Sequence, residues 1–206
     1  MSLETWLAYT LVTTTFLLIP GPTLLLVISY SLFRGRSTIL ALVFGVGLGD
    51  LTAISLSFLG VGMLLQTVAT AFYFLKWLGA TYLIWLGIKM WRSASQQPVE
   101  ISEKAKNRAW WEIFRNAYVT TALNPKSIVF FLAFMPQFME PDLPFISQAL
   151  VLGGTFFVLA IMSVVSYALL ASYAGQQLSL PSFQRWTQRL GGGLLIGAGG
   201  MTTVTS

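Results

Sequence analysis

The 206-residue chain contains no cysteine and no histidine. Without cysteine it has no disulfides, no thiolate metal sites and no thiol redox chemistry. Without histidine it lacks the commonest metal ligand and the side chain that usually carries protons near neutral pH. Charge is scarce too: 9% of the residues are charged, against about 25% in soluble domains. What replaces charge is apolar surface. Hydrophobic residues make up 55% of the chain and the mean hydropathy is +0.73, the composition of a polytopic membrane protein. The start, Met1-Ser2-Leu3-Glu4, has no basic segment, so the first apolar run is expected to be a retained transmembrane helix rather than a signal peptide. The net charge of +5 sits between apolar runs. It points to cytoplasmic loops and membrane lipid, and not to nucleic acid.

A helix needs about 20 apolar residues to span a bilayer. Six stretches qualify: roughly Trp6–Phe33, Thr38–Leu64, Phe72–Trp91, Ile113–Phe138, Phe145–Tyr173 and Phe183–Thr203. A polar linker, about 92–111 and most polar from Arg92 to Arg108, separates repeat 1 (about 1–91) from repeat 2 (about 112–206) within one transporter-like domain. Three helices per half would insert the second half upside down. The expected fold is therefore all-α, six transmembrane helices as two inverted three-helix repeats, the plan of many secondary transporters. Ten of the twelve Lys and Arg residues fall in alternate loops; of the other two, Lys76 is the lone base on the opposite side and Lys126 lies within a span. The positive-inside rule then places both termini outside the cytoplasm.

Two interruptions stand out within these spans. In the first, Pro20-Gly21-Pro22 breaks the run Phe16–Leu26. Neither proline has an N–H, and each disfavours helix at the preceding residue, so carbonyls around Phe16 and Leu18 must lose their partners. In hydrocarbon a free carbonyl costs several kcal/mol, and such a break persists only inside protein or beside a wet cavity. Pro22 suits the first turn of a new helix, leaving the N–H groups of Thr23 and Leu24 facing the gap. In the fourth span, Asn124-Pro125-Lys126 is a matching break, with Asn as N-cap and Pro at the first helical position. Helices one and four are thus both expected to be broken at proline motifs.

Few residues could carry chemistry at this depth. Asp50, in Gly45-Val46-Gly47-Leu48-Gly49-Asp50, is the acid placed deep in the membrane. A charge there costs at least about 2.5–3.5 kcal/mol and calls for a partner or a cavity. It suits an ammonium group, a proton or Na+. Lys126 is the natural counter-charge, either merely neutralising Asp50 or competing for it with substrate. Gly45, Gly47 and Gly49 chiefly suit close helix packing. Thr15 and Thr120 precede the two breaks and Tyr82 could offer a hydroxyl; with Gly49 they complete the candidate set. No metal site or cofactor is indicated, and no nucleophile–base pair suggests an enzyme.

Together these residues resemble the LysE/RhtB superfamily of amino-acid exporters. The resemblance rests on Pro20-Gly21-Pro22, Gly45–Asp50, the Gly79–Gly87 segment and Asn124-Pro125-Lys126. It implies efflux of amino acids or close derivatives across the bacterial inner membrane, driven by an ion gradient. The expectation is amino-acid export by proton antiport, with Na+ an alternative coupling ion and homo-oligomerisation left open. The alternatives are a transporter of another small solute or cation, and a membrane scaffold without transport. On this view the substrate carboxylate meets the helix starts after Gly21-Pro22 and Asn124-Pro125, and its ammonium meets Asp50. Both charges would be needed, so an ester of the substrate should not compete.

Overall fold

A computed structural model describes residues 1–19, 21–67, 109–140 and 142–174, with Thr81, Ile84, Trp85, Ile88 and Arg92. All secondary structure among these residues is helical. The linker, the sixth span and most of the third lie outside the described residues, as do Pro20 and Tyr82.

The first span is two helices. Helix α1, Leu3–Leu18, starts at Ser2, whose hydroxyl accepts from the Thr5 N–H. It ends where Ile19 turns extended (φ −77°, ψ 114°). Helix α2, Pro22–Arg34, begins with proline at its first position behind an extended Gly21. It closes at Gly35, whose φ of +66° is one that glycine adopts without penalty. A 3-10 turn, Gly35–Thr38, leads into α3, Ile39–Thr67.

The fourth span is broken as well. Helix α4, Trp110–Ala122, gives way at Leu123. Asn124 then caps α5, Pro125–Val129, through its side chain. The chain continues as a π-helical stretch, Phe130–Phe134, and a 3-10 turn, Met135–Phe138. Helix α6, Phe145–Ala174, is continuous. By length and composition three described stretches are apolar enough to cross a membrane: Pro22–Gly60, Trp110–Phe138 and Phe145–Tyr173.

Packing assigns the halves of the broken spans to different cores. One core joins α1 before its break (Tyr9, Phe16) to the chain after the second break (Phe130, Phe131, Phe134) and to Phe156 of α6. The other joins α2 after its break (Leu24, Val27) to α4 before the second break (Ile113, Ala117), with Leu42 and Val46 of α3 and Val164 of α6. The two breaks lie where these cores meet. Glycines set the spacing of α3. A Cβ on Gly45 would fall 2.6 Å from the Phe114 carbonyl oxygen, and one on Gly49 would fall 2.7 Å from the Thr121 Cβ. Backbone therefore touches backbone between α3 and α4, the close approach that small residues permit.

The ends are tied differently. At one end the terminal ammonium of Met1 lies 3.5 Å from Glu140, and the Ser2 N–H donates to the same carboxylate. Towards the other end, Arg36 stacks over the Tyr173 ring at 4.2 Å. The outer faces carry apolar side chains such as Leu7, Leu11, Phe44, Leu48, Leu150 and Met162. That is what contact with lipid requires.

Candidate functional site

The break in the first span frees carbonyls, and those of Phe16, Leu18 and Ile19 are answered by side chains from the second half of the chain. The Lys126 ammonium donates to the Phe16 carbonyl at 2.8 Å and to the Ile19 carbonyl at 2.7 Å. It also sits over the Phe16 ring, 4.2 Å from the centroid, within cation–π range. The Tyr167 hydroxyl of α6 donates to the Leu18 carbonyl at 2.8 Å. The carbonyl C-terminal end of α1, negative by its helix dipole, is thus held by a cation.

The break in the fourth span satisfies itself. The Asn124 Oδ1 accepts from the Lys126 N–H at 3.1 Å. The Asn124 Nδ2 donates across to the Thr23 hydroxyl at 3.1 Å, and Thr23 is 3.3 Å from the Thr121 hydroxyl. Asn124 therefore does two jobs: it caps one half-helix and ties it to the first turn of the other. The two helix starts differ, because α2 has no side-chain cap at all.

Between the breaks lies a cavity of about 40 Å³. One water needs about 10–15 Å³, so it has room for a few waters and not for an amino acid. Gly21, Thr23, Asp50, Asn124, Lys126 and Ser163 contribute to its wall. Asp50 and Lys126 are the two titratable side chains among the described lining residues. Asp50 is 3% exposed and Lys126 8%. No ion pair joins them: Lys126 is engaged with the α1 carbonyls, and no described residue hydrogen-bonds the Asp50 carboxyl. The sequence left open whether the two pair directly; in this structure they form no ion pair. The failed helix ladder leaves the α1 carbonyls short of their helical donors: Phe16 O keeps one long bond, 3.3 Å from the Ile19 N–H, and the ammonium completes both oxygens.

Other candidates fall elsewhere. Pro22 and Pro125 are exposed and shape backbone rather than line the cavity. Thr15 and Thr120 are partly buried and outside the cavity wall. Thr14 bonds back to the Thr10 carbonyl inside α1, not to the freed carbonyls. Gly49 is filled against Thr121 and Tyr118. Sequence reasoning overlooked Ser163, whose hydroxyl is buried without a hydrogen-bond partner among the described residues while the residue lines the cavity. A serine in an apolar helix gives no signal of that kind. It also overlooked the Phe16 ring and the Ile19 carbonyl, which belong to apolar residues.

Comparison with known proteins gives this arrangement a context. The family described as LysE type translocator matches residues 14–205, and the chain belongs to that family. It is 34% identical over 199 residues to an uncharacterized membrane protein of Vibrio cholerae, covering 97% of this chain and 96% of the relative. It is 34% identical over 200 residues to a homoserine/homoserine lactone efflux protein of Salmonella typhimurium, covering 96% of each. A Bacillus subtilis uncharacterized membrane protein is 28% identical over 204 residues, covering 94% of this chain and 95% of the relative. No solved structure matches the chain at a significant level. The chain is thus a small-molecule membrane translocator rather than an enzyme by family.

Proposed function

We propose that this translocator exports a small polar amino acid from the cytoplasm across the bacterial inner membrane, in exchange for a proton, with both chain termini on the periplasmic side. The observation that carries the reading is the placement of Asp50 and Lys126 on one buried cavity without an ion pair between them. A bare carboxylate in that setting is expensive, at least about 2.5–3.5 kcal/mol. It is relieved by a proton or by a cation brought to it. Those two states exclude each other, and mutual exclusion at one acid is the minimal requirement for antiport. Na+ in place of the proton would use the same acid.

Homoserine is the first substrate to test, because a relative of nearly full coverage bears that name. The same name includes homoserine lactone, in which the carboxylate is closed into an ester. What acid and lactone share is the α-ammonium. Recognition here is accordingly assigned first to the ammonium, with the carboxylate as an auxiliary handle at the uncapped start of α2. That departs from the expectation that both charges are obligatory, and an ester should then compete.

The test is flux in proteoliposomes containing the purified protein. Labelled L-homoserine and a panel of amino acids are loaded inside and an inward proton gradient is imposed. Gradient-dependent loss of one or more amino acids is the expected result. Flux of no amino acid under any gradient would refute the reading and leave another solute or a scaffold role.

A further inference from the structure

We propose that the Phe16 and Ile19 carbonyls and the Phe16 ring form the ammonium subsite of this transporter. Lys126 would then be a tethered occupant of that subsite, which the exported amine displaces onto Asp50. The inference rests on the reading of the chain as an exporter of amines, and it names the site and the step that reading lacks.

The geometry of the cradle is that of a primary-ammonium receptor. Two carbonyl oxygens, 2.8 and 2.7 Å from Lys126 Nζ, take two of its three protons, and the ring face lies 4.2 Å away. Every α-amino acid with a primary amine carries the same R–NH3+ group with the same three donors. The cradle does not distinguish a lysine side chain from a substrate amine; only the tether does. The stem of Lys126 reaches it by crossing Gly21. A Cβ on Gly21 would lie 3.2 Å from Lys126 Cδ and 3.9 Å from its Nζ. When Lys126 leaves, the space beside Gly21 opens next to the uncapped first turn of α2. An amine in the cradle would then have the positive end of a helix a few residues away, where a carboxylate or an ester carbonyl fits.

The displaced lysine has one charged destination among the described lining residues, Asp50. Charge is conserved by a single proton. In the empty state Lys126 holds the cradle and Asp50 carries a proton. In the loaded state the substrate holds the cradle, Lys126 faces the Asp50 carboxylate, and the proton has left for water. Substrate release reverses the exchange when a proton returns to Asp50. The device couples one amine to one proton. It also uncouples the end of α1 from α5 each time Lys126 moves, so loading loosens the joint between the two halves of the chain.

The experiment uses the purified full-length protein with two probes, ethylammonium chloride and labelled L-homoserine. Lys126→Ala empties the cradle. Ethylammonium should raise the unfolding temperature of Lys126→Ala in a saturable way and leave the wild type nearly unchanged. Tetramethylammonium, which has no N–H, should do neither. Homoserine should bind Lys126→Ala on the order of tenfold more tightly than wild type, because a tethered competitor is present at millimolar effective concentration or above, and ethylammonium should displace it. Lys126→Met, which keeps the apolar stem but has no donor for the carbonyls, should share the tighter binding and serves if Lys126→Ala does not fold. Homoserine binding no tighter in either variant makes Lys126 a strut and overturns the proposal. Stabilisation by ethylammonium without displacement of homoserine overturns it equally. If wild type carries no amino acid in proteoliposomes, the exporter reading fails, while the ethylammonium comparison still decides whether the cradle accepts an amine.

Discussion

Replacing Gly49 with alanine tests how far the geometry around Asp50 depends on the contact between α3 and α4. The added Cβ would meet the Thr121 Cβ at 2.7 Å, the Tyr118 carbonyl oxygen at 2.9 Å and the Ala122 nitrogen at 3.1 Å. Two of these three atoms are backbone, so no rotamer change relieves the clash; the helices must separate. Ordinary contact begins at 3.4 Å, so the separation needed is about 0.7 Å, and overpacking of this kind costs about 1–3 kcal/mol. Alanine returns up to about 1 kcal/mol of helix propensity. The net expectation is a loss of about 0–3 kcal/mol against wild type, and of the full 1–3 kcal/mol, roughly 2–12 °C in unfolding temperature, against an alanine that meets no obstruction. Gly154 is the internal control, because it is helical and a Cβ there meets nothing within 4 Å. Gly154→Ala should unfold at or above the wild-type temperature. The assay is thermal unfolding of the two variants side by side in detergent, followed by flux in proteoliposomes. Asp50 is the next residue on α3, so Gly49→Ala should also lose flux out of proportion to its stability. Equal unfolding temperatures for Gly49→Ala and Gly154→Ala would refute the close-packing argument.

Asp50→Asn keeps the shape and hydrogen-bonding groups of the side chain but holds no negative charge; the variant should insert and fold, and its flux should fall and cease to respond to the proton gradient. A variant that exports with wild-type pH dependence would move coupling elsewhere. Asn124→Ala removes both the cap on Lys126 N–H and the tie to Thr23, at a cost of about 0.5–2 kcal/mol for the cap. Asn124→Asp retains the cap and loses only the donor to Thr23, so it should be the more stable of the two in thermal unfolding yet transport no better, since it also places a negative group beside the substrate. Tags at residues 2 and 206 should be labelled from the periplasm and one at residue 97 only from the cytoplasm; a periplasmic residue 97 would reverse the direction assigned to transport. Homoserine methyl ester should compete with labelled homoserine in proteoliposomes, and its failure to do so would restore the carboxylate as an obligatory group.

The sequence by itself determined the membrane class and the existence of both breaks. Those are consequences of local chemistry: apolar runs of spanning length, and prolines that cannot sustain a helical ladder at Pro20-Gly21-Pro22 and Asn124-Pro125. It also singled out the two charged residues that line the cavity, because Asp50 and Lys126 are conspicuous against an apolar background. The described helix limits follow the expected spans within a few residues, Phe145–Ala174 against Phe145–Tyr173 being the nearest match. What the tertiary structure decided was partnership. Lys126 bonds to carbonyls 107 and 110 residues away, and Asn124 reaches Thr23 across 101 residues. Opposite charge suggested Lys126 with Asp50. Which oxygen a buried ammonium takes, however, is set by which acceptor has lost its donor and by where two broken helices meet. A carbonyl carries no mark in the sequence, since every residue has one. Gly45 and Gly49 read from their spacing alone as glycines for close packing. Only the tertiary structure shows which helix they admit, with α4 backbone atoms of Phe114 and Tyr118 within contact distance.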